Sequence, residues 1–384
     1  MFHDPATARV NPVLTESWGA VQDREGPTSS MILRDLMRLL GSAKRDGRNL
    51  THDEAYRAFE LICSGGQSEI QVGAFLIALR WKGVTVDELT AFARAARSLA
   101  TIPCRHVEDL VVVSPPHDGF DHVPPLETAA GLVAAGAGVK VLVVSDRCVP
   151  PKRGITASSA LEALGLSMTW DPAQAEHWVA SAGFAVISAS GMLPGLMGLR
   201  RVRGEIGVRT PLATIEKLIA PPNAAMVTAA QAGPVLGVAV EVLASLGHSR
   251  GIAIQGAEGG VIPQLTRRTR GIELSGSHQV PLSIEPADFG LGGGQEPDLP
   301  MFGPPDEGYG TGDNPQLVQA CGEITRSVLA GETSPARSAT CLGAALMLKA
   351  VGRAHTLADG VSQAAESIDS GAARRVLQRL RELA

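Results

Sequence analysis

The sequence predicts an α/β protein in which a small N-terminal all-helical domain joins a larger α/β domain, its mainly parallel sheet flanked by helices. Three observations carry this. Four helical patterns and no strand pattern occupy the chain up to Leu99. From Asp109 onward, short Val/Ile runs alternate with Ala-rich helical segments, and such alternation produces a parallel sheet covered by helices. Aromatics are only 4% of the chain while Ala and Gly abound, which suits close helix-on-sheet packing better than a stacking platform for single-stranded bases.

Each element can be justified in turn. Residues 1–28 are polar, Pro-punctuated and aperiodic, and read as a flexible extension. A helical domain is expected over 29–103, joined by helices within 194–220. Its first helix, "SMILRDLMRLLGSAKR", puts Ile32, Leu33, Leu36, Leu39 and Leu40 on one face. The second and fourth open on capping boxes, Thr51–Glu54 and Thr85–Glu88, and the third, "EIQVGAFLIALRWKG", is mostly apolar. The α/β domain is expected over 104–384. Its strands are "DLVVVS", "VKVLVV", "FAVISA" and "GIAIQG"; its helices are 126–136, "TASSALEALG", one opened by Asp171-Pro172, and 234–246. A Gly/Pro-rich loop over 290–315 leads to two or three C-terminal helices, the last an amphipathic "ARRVLQRLRELA" with its arginines in water. Ligands of such sheets bind beyond the carboxyl ends of the strands.

At 384 residues and 45% hydrophobic content the chain can bury a large core. A formal charge of −5 gives no global attraction to polyanions, so nucleic-acid binding requires a local basic patch. Five cysteines, Cys63, Cys104, Cys148, Cys321 and Cys341, are widely spaced without a C-x-x-C pair. They argue against a disulfide framework or zinc site and for small core hydrophobes in a reducing cytoplasm, with Cys148 the one nearest the expected cleft. No stretch reaches the length of a membrane helix, so a soluble cytoplasmic protein with no membrane partner is expected.

Four stretches, "QVGAFLIALRWKGVTVDELTAFARAARSLA", "LGHSRGIAIQGAEGG", "ADFGL" and "AGETSPARSATCLGAALMLKAVGRAHTLADGVSQAAESIDSG", resemble the anthranilate phosphoribosyltransferase family, glycosyl transferase family 3. The resemblance covers nearly everything after residue 30. It implies a nucleoside phosphorylase/phosphoribosyltransferase-like fold, a homodimer through the helical domain, and a pyrophosphate-cradling G-T-G-G-D-G turn after the first strand. Glycines there let backbone N–H groups approach the anion. The matching residues are Ser114, Pro115, Pro116, His117, Asp118 and Gly119, and two of them have no N–H. The family's N-x-S-T reads Pro125, Leu126, Glu127 and Thr128, so a carboxylate stands where phosphate is held. Its K-H-G-N-R reads Val143, Val144, Ser145, Asp146 and Arg147. Its magnesium-holding Asp-Glu pair reads Glu258-Gly259, one carboxylate of two.

Four such losses in one site leave the donor positions Ser114, Asp118, Gly119, Thr128 and Arg147 altered or isolated. A cofactor is therefore not expected, and magnesium enters only if transfer persists, with Glu258 as its one ligand. "PPKRGITASSALEALG" and "GVRTPLATIEKLIAPP", the second replacing the enzymes' Asn-bearing "FNLLGPL" region with Thr214 to Leu218, are similar to a family group whose members bind nucleic acid as dimers without transferase activity.

Basic residues concentrate at Lys152-Arg153, at Arg200, Arg201, Arg203 and Arg209, at Lys217, and at Arg267, Arg268 and Arg270. By the resemblance Arg203 matches an arginine near the acceptor carboxylate, and these segments border the interdomain cleft. The expectation is a protein binding nucleic acid or another phosphate-containing ligand there. The alternative is a phosphoribosyl or glycosyl transferase with a rebuilt donor site, using Lys152, Arg153 and Glu258 on a nitrogen acceptor. A third reading is a dimeric scaffold with a vestigial cleft. Each basic cluster also reads as a solvated face with salt bridges. Glu258 reads equally as a turn carboxylate beside glycines and as a remnant ligand. His117 and His122, with no third ligand at metal spacing, read as surface-loop histidines, and "GLGGG" within 290–294 as a flexible loop.

Overall fold

A computed structural model describes residues 33–40, 47–292, 294–300 and 310–384. The expected extension over 1–28, Ile32 and part of the 290–315 loop lie outside the described residues. The helical part holds α1 (Leu33–Leu40), α2 (His52–Cys63), α3 (Glu69–Lys82) and α4 (Val86–Leu99). Both expected capping boxes form: Thr51 and Thr85 accept from the backbone N–H of Glu54 and Glu88, and those glutamates reach back. The apolar faces meet around Phe59 and Phe92, whose ring centroids lie 5.9 Å apart.

The rest of the chain runs β1 (Leu110–Ser114), α5 (Glu127–Gly136), β2 (Lys140–Val144), α6 (Ala157–Ala163), α7 (Pro172–Ala182), β3 (Phe184–Ile187) and four short helices: α8 (Ala189–Met192), α9 (Gly195–Gly198), α10 (Arg200–Ile206) and α11 (Leu212–Ile215). Then come β4 (Ala225–Ala229), α12 (Pro234–Ser245), β5 (Arg250–Ile254), β6 (Thr269–Ser275), β7 (His278–Ile284), α13 (Pro315–Ala330), α14 (Pro335–Val351), α15 (Leu357–Asp369) and α16 (Ala372–Leu383). The C-terminal helices thus number four, one or two more than the sequence suggests, because Gly331 and Gly352 in left-handed conformation break two long apolar segments.

The seven strands are ordered β3-β2-β1-β4-β5-β6-β7. The first five pair in parallel and the last two add an antiparallel edge hairpin. Strands β1 and β3 are buried along their length and β2 is buried beyond Lys140, as expected for a sheet covered on both faces. Chain order reverses direction between β1 and β4, so a crevice opens at their carboxyl ends.

Helices α9, α10 and α11 leave the sheet and pack on α2, α3 and α4; Gly73 on α3 admits Val202 and Ile206 of α10. Arg97 on α4 fastens the helical part to the sheet, donating to Leu218 O at 2.7 Å and Leu246 O at 3.1 Å. Among the described residues no helix is long and apolar enough to cross a membrane.

Candidate functional site

A cavity of about 610 Å³ occupies the crevice. Pro116, His117 and Asp118 come to it from the end of β1, Thr228 to Gln231 from β4, and Gln255, Gly256 and Glu258 from β5. Leu79, Val84 and Leu89 from the helical part, with Val238 and Val242 of α12, make an apolar wall. Arg80, Arg209, Lys217 and Arg267 are its cations.

The turn after β1 is packed by protein. Gly154 N–H donates to Asp118 O at 2.7 Å, and Phe120 and Ile155 exchange both backbone hydrogen bonds at 2.8 Å. Thr311 Oγ1 adds a bond to Phe120 O at 2.9 Å, laying the 310–313 turn over the same segment. Asp118 is buried and accepts from Arg209 Nε at 2.6 Å and Nη2 at 2.8 Å. His117 is not a surface-loop residue: it is 1% exposed and points inward, because the Pro115-Pro116 segment carries it under Arg203 and Glu216. His122 is exposed as expected.

Thr128 Oγ1 at the start of α5 donates to Ala157 O at 2.8 Å, and Ser114 Oγ is buried without a partner. Glu127 is fully buried with both carboxyl oxygens unpartnered, and desolvation pushes its carboxyl up to about 7. Asp146 accepts from Ser190 Oγ at 2.8 Å and from the Ser188 hydroxyl. Arg147 pairs with Glu162, and Arg200 donates to Arg147 O at 3.0 Å.

Most cations already have acceptors. Arg203 is buried in a two-pronged pair with Glu216 and donates to Pro150 O at 2.9 Å. Arg201, on the exposed side of α10, pairs with Glu69 and does not line the cavity. Lys217 Nζ donates to Ala229 O at 2.5 Å. Arg267 bonds the Gln264 side chain, Arg268 pairs with Glu285 at 3.3 Å, and Arg270 is exposed. Glu258, in left-handed conformation, accepts from the N–H groups of Asp121 at 2.9 Å, His122 at 2.9 Å and Val123 at 3.2 Å, and pairs with Lys152. Burial opposes its ionisation, but these bonds, the lysine's first, hold its carboxyl below the usual range. Gly259 beside it has no side chain to offer a cation. Among the described residues no group of three or more His, Cys, Asp or Glu is placed to hold a metal.

Comparison with known proteins places this geometry in a lineage. A model described as the glycosyl transferase family a/b domain matches residues 121–374, and one for that family's helical bundle domain matches residues 41–100. The chain belongs to glycosyl transferase family 3. Among its family relatives, the anthranilate phosphoribosyltransferase of Symbiobacterium thermophilum is 34% identical over 88% of this chain and 94% of its own length. That of Anaeromyxobacter sp. strain K is 34% identical over 87% of this chain and 95% of its own. The crystal structure of the Thermus thermophilus enzyme aligns with a TM-score of 0.74 at 26% identity, covering 91% of this chain and 98% of that one. The Saccharomyces cerevisiae enzyme in complex with PRPP and Mg, 17% identical over 91% of this chain and 97% of its own, shares the fold with a TM-score of 0.73.

On this family fold the predicted residues separate into groups. Asp118, Arg209, Lys217, Glu258 and Arg267 meet at the cavity. Thr128, Arg147, Arg200 and Arg203 lie outside its lining, as do Lys152 and Arg153 on the segment packed behind the first turn. Sequence reasoning missed the Asp118–Arg209 and Arg203–Glu216 pairs. Their partners are 91 and 13 residues apart, and no local pattern joins them.

Proposed function

We propose that this member of glycosyl transferase family 3 binds a phosphate-rich ligand, nucleic acid first, through side-chain cations at the cavity mouth, and does not use magnesium-dependent phosphoribosyl transfer. The observation that carries this is the Glu258 clamp: the carboxylate at the family's magnesium position is spent on three backbone N–H groups and Lys152. Magnesium prefers several oxygen ligands, and Gly259 supplies none. The proline-bearing turn after β1 likewise offers diphosphate few N–H groups. Anions are then held by guanidinium groups, of which Arg267, Arg268 and Arg270 face solvent.

Fluorescence anisotropy of a labelled oligonucleotide tests the reading. Affinity falls on the order of tenfold or more between about 50 and 200 mM salt, and Arg267→Ala with Arg270→Ala weakens it further. No retention, or retention insensitive to salt, defeats it. Arg203→Ala is a poor probe, because breaking a buried pair costs roughly 3–5 kcal/mol of stability.

A second reading is favoured by the relatives, which are named anthranilate phosphoribosyltransferases along nearly their whole length. The chain would then transfer phosphoribosyl to a nitrogen acceptor. Metal-dependent calorimetric binding of phosphoribosyl pyrophosphate would establish that reading over the first. In either case we propose a cytoplasmic homodimer formed through the helical part. Ile70 and Trp81 on α3, 84% and 85% exposed, support it.

A further inference from the structure

Of the chain's six lysines, Lys217 is the only one among the described residues that lines the cavity. It follows Glu216 in a 3-10 turn that the buried Arg203–Glu216 pair fixes in place. Its bond to Ala229 O uses one N–H of three. His117 lines the same cavity, buried, with neither ring nitrogen bonded to a protein group; Nδ1 stops 4.0 Å from Glu216 Oε2.

Burial decides the character of both groups. It lowers the Lys217 ammonium to about 8, with Arg209 adding to the effect and Glu216 and Asp118 opposing it. Burial likewise holds the imidazole below its ordinary value, against Glu216 and Asp146 and with Arg203 and Lys217. A lysine that loses its charge this readily is a poor point charge for phosphate. As an amine it is a good nucleophile, with roughly a tenth neutral at pH 7.

We propose that Lys217 is a carbonyl-reactive amine and that the cavity takes a small phosphorylated aldehyde or ketone, such as an open-chain sugar phosphate, as an imine. The Nζ lone pair forms a bond to the carbonyl carbon, and the carbonyl π pair moves to oxygen. His117 accepts one proton from the nitrogen and passes it to the oxygen, which gives the neutral carbinolamine. The carbinolamine C–O bond then breaks as nitrogen forms the double bond, and His117 carries the nitrogen's remaining proton to the departing oxygen. The products are the imine and one water. Arg209 and Arg267 stand at the mouth for the phosphate. This assignment does not depend on polyanion binding and is read without an oligonucleotide.

The test uses the full chain, glycolaldehyde phosphate and sodium cyanoborohydride, which delivers hydride to an imine carbon. Peptide mass mapping should find one adduct per chain, on the Lys217 peptide, formed at least tenfold faster than on Lys140 or Lys152 and with half-maximal rate near pH 8. His117→Gln should slow the adduct about tenfold without moving it, and Lys140→Met, away from the cavity, should leave it unchanged. An adduct spread over Lys140, Lys152 and Lys349, or an unmodified Lys217, overturns the proposal. The wild-type map decides this even if Lys217→Met fails to fold.

Discussion

Glu127 shows how burial alone can set the charge of a side chain. A carboxylate at the N-terminus of α5 is favoured by the helix dipole, yet this one has no solvent and no donor beyond its own backbone N–H, which offsets the desolvation only in part. Its pKa of about 7 lies above the value of 4.5 for a free glutamate, so the folded state holds the proton more tightly than the unfolded chain. Stability is therefore full below about pH 4.5, falls as pH rises through about 7, and levels off above it, by roughly 3 kcal/mol in total. Glu127→Gln keeps the neutral shape at every pH. Urea unfolding should find the variant matched to wild type near pH 4.5 and more stable by about 2–3 kcal/mol at pH 8. Equal pH dependence in the two proteins would refute this account. By the family resemblance Glu127 falls where phosphate is expected, but its burial is not legible in the sequence, because Pro124, Phe120 and the distant Ile262 and Glu296 close around it.

At the scale of elements, legibility follows the range of the forces involved. Capping boxes at Thr51 and Thr85, the Asp171 cap and the buried Val runs of β1 and β2 are local and were readable. Hairpin β6–β7 was not: Pro281 interrupts its second strand, and proline is tolerated there because β7 is an edge. The first turn of the site was readable by position but not by contact. Gly119 has φ +78, and a Cβ on it would lie 2.5 Å from Gly154 C and Ile155 O. Glycine is required here because the 154–155 backbone passes directly against it. Gly119→Ala should cost about 3 kcal/mol, combining left-handed strain of roughly 1–2 kcal/mol with overpacking. Thermal unfolding checks it; a shift under one degree would show that the 153–155 segment yields freely.

For the whole molecule, the exposed face of α3 sets the next question. Ile70, Ala74, Ile77 and Trp81 follow one another at helical spacing, and Ile70 and Trp81 are the most exposed large apolar residues described. Met197 and Val208, 40% and 41% exposed, flank α10, which packs beside α3. Exposed apolar patches of this kind are characteristic of interaction sites, which supports the dimer proposed above. A two-fold axis across α3 would set these apolar side chains against their symmetry mates, so one surface would serve both copies. The main cavity opens between α3–α4 and the sheet, so a dimer built this way would steady its helical wall without covering its mouth. Trp81→Glu should shift sedimentation velocity from about 80 kDa, twice the 39.9 kDa chain, to the single chain at micromolar concentration, since a charge would be desolvated at the centre of the contact. The variant should keep the wild-type circular dichroism, because the Trp81 side chain stands almost wholly outside its own chain's core. A wild-type protein that sediments as a single chain, or a Trp81→Glu dimer as tight as wild type, would remove α3 as the contact.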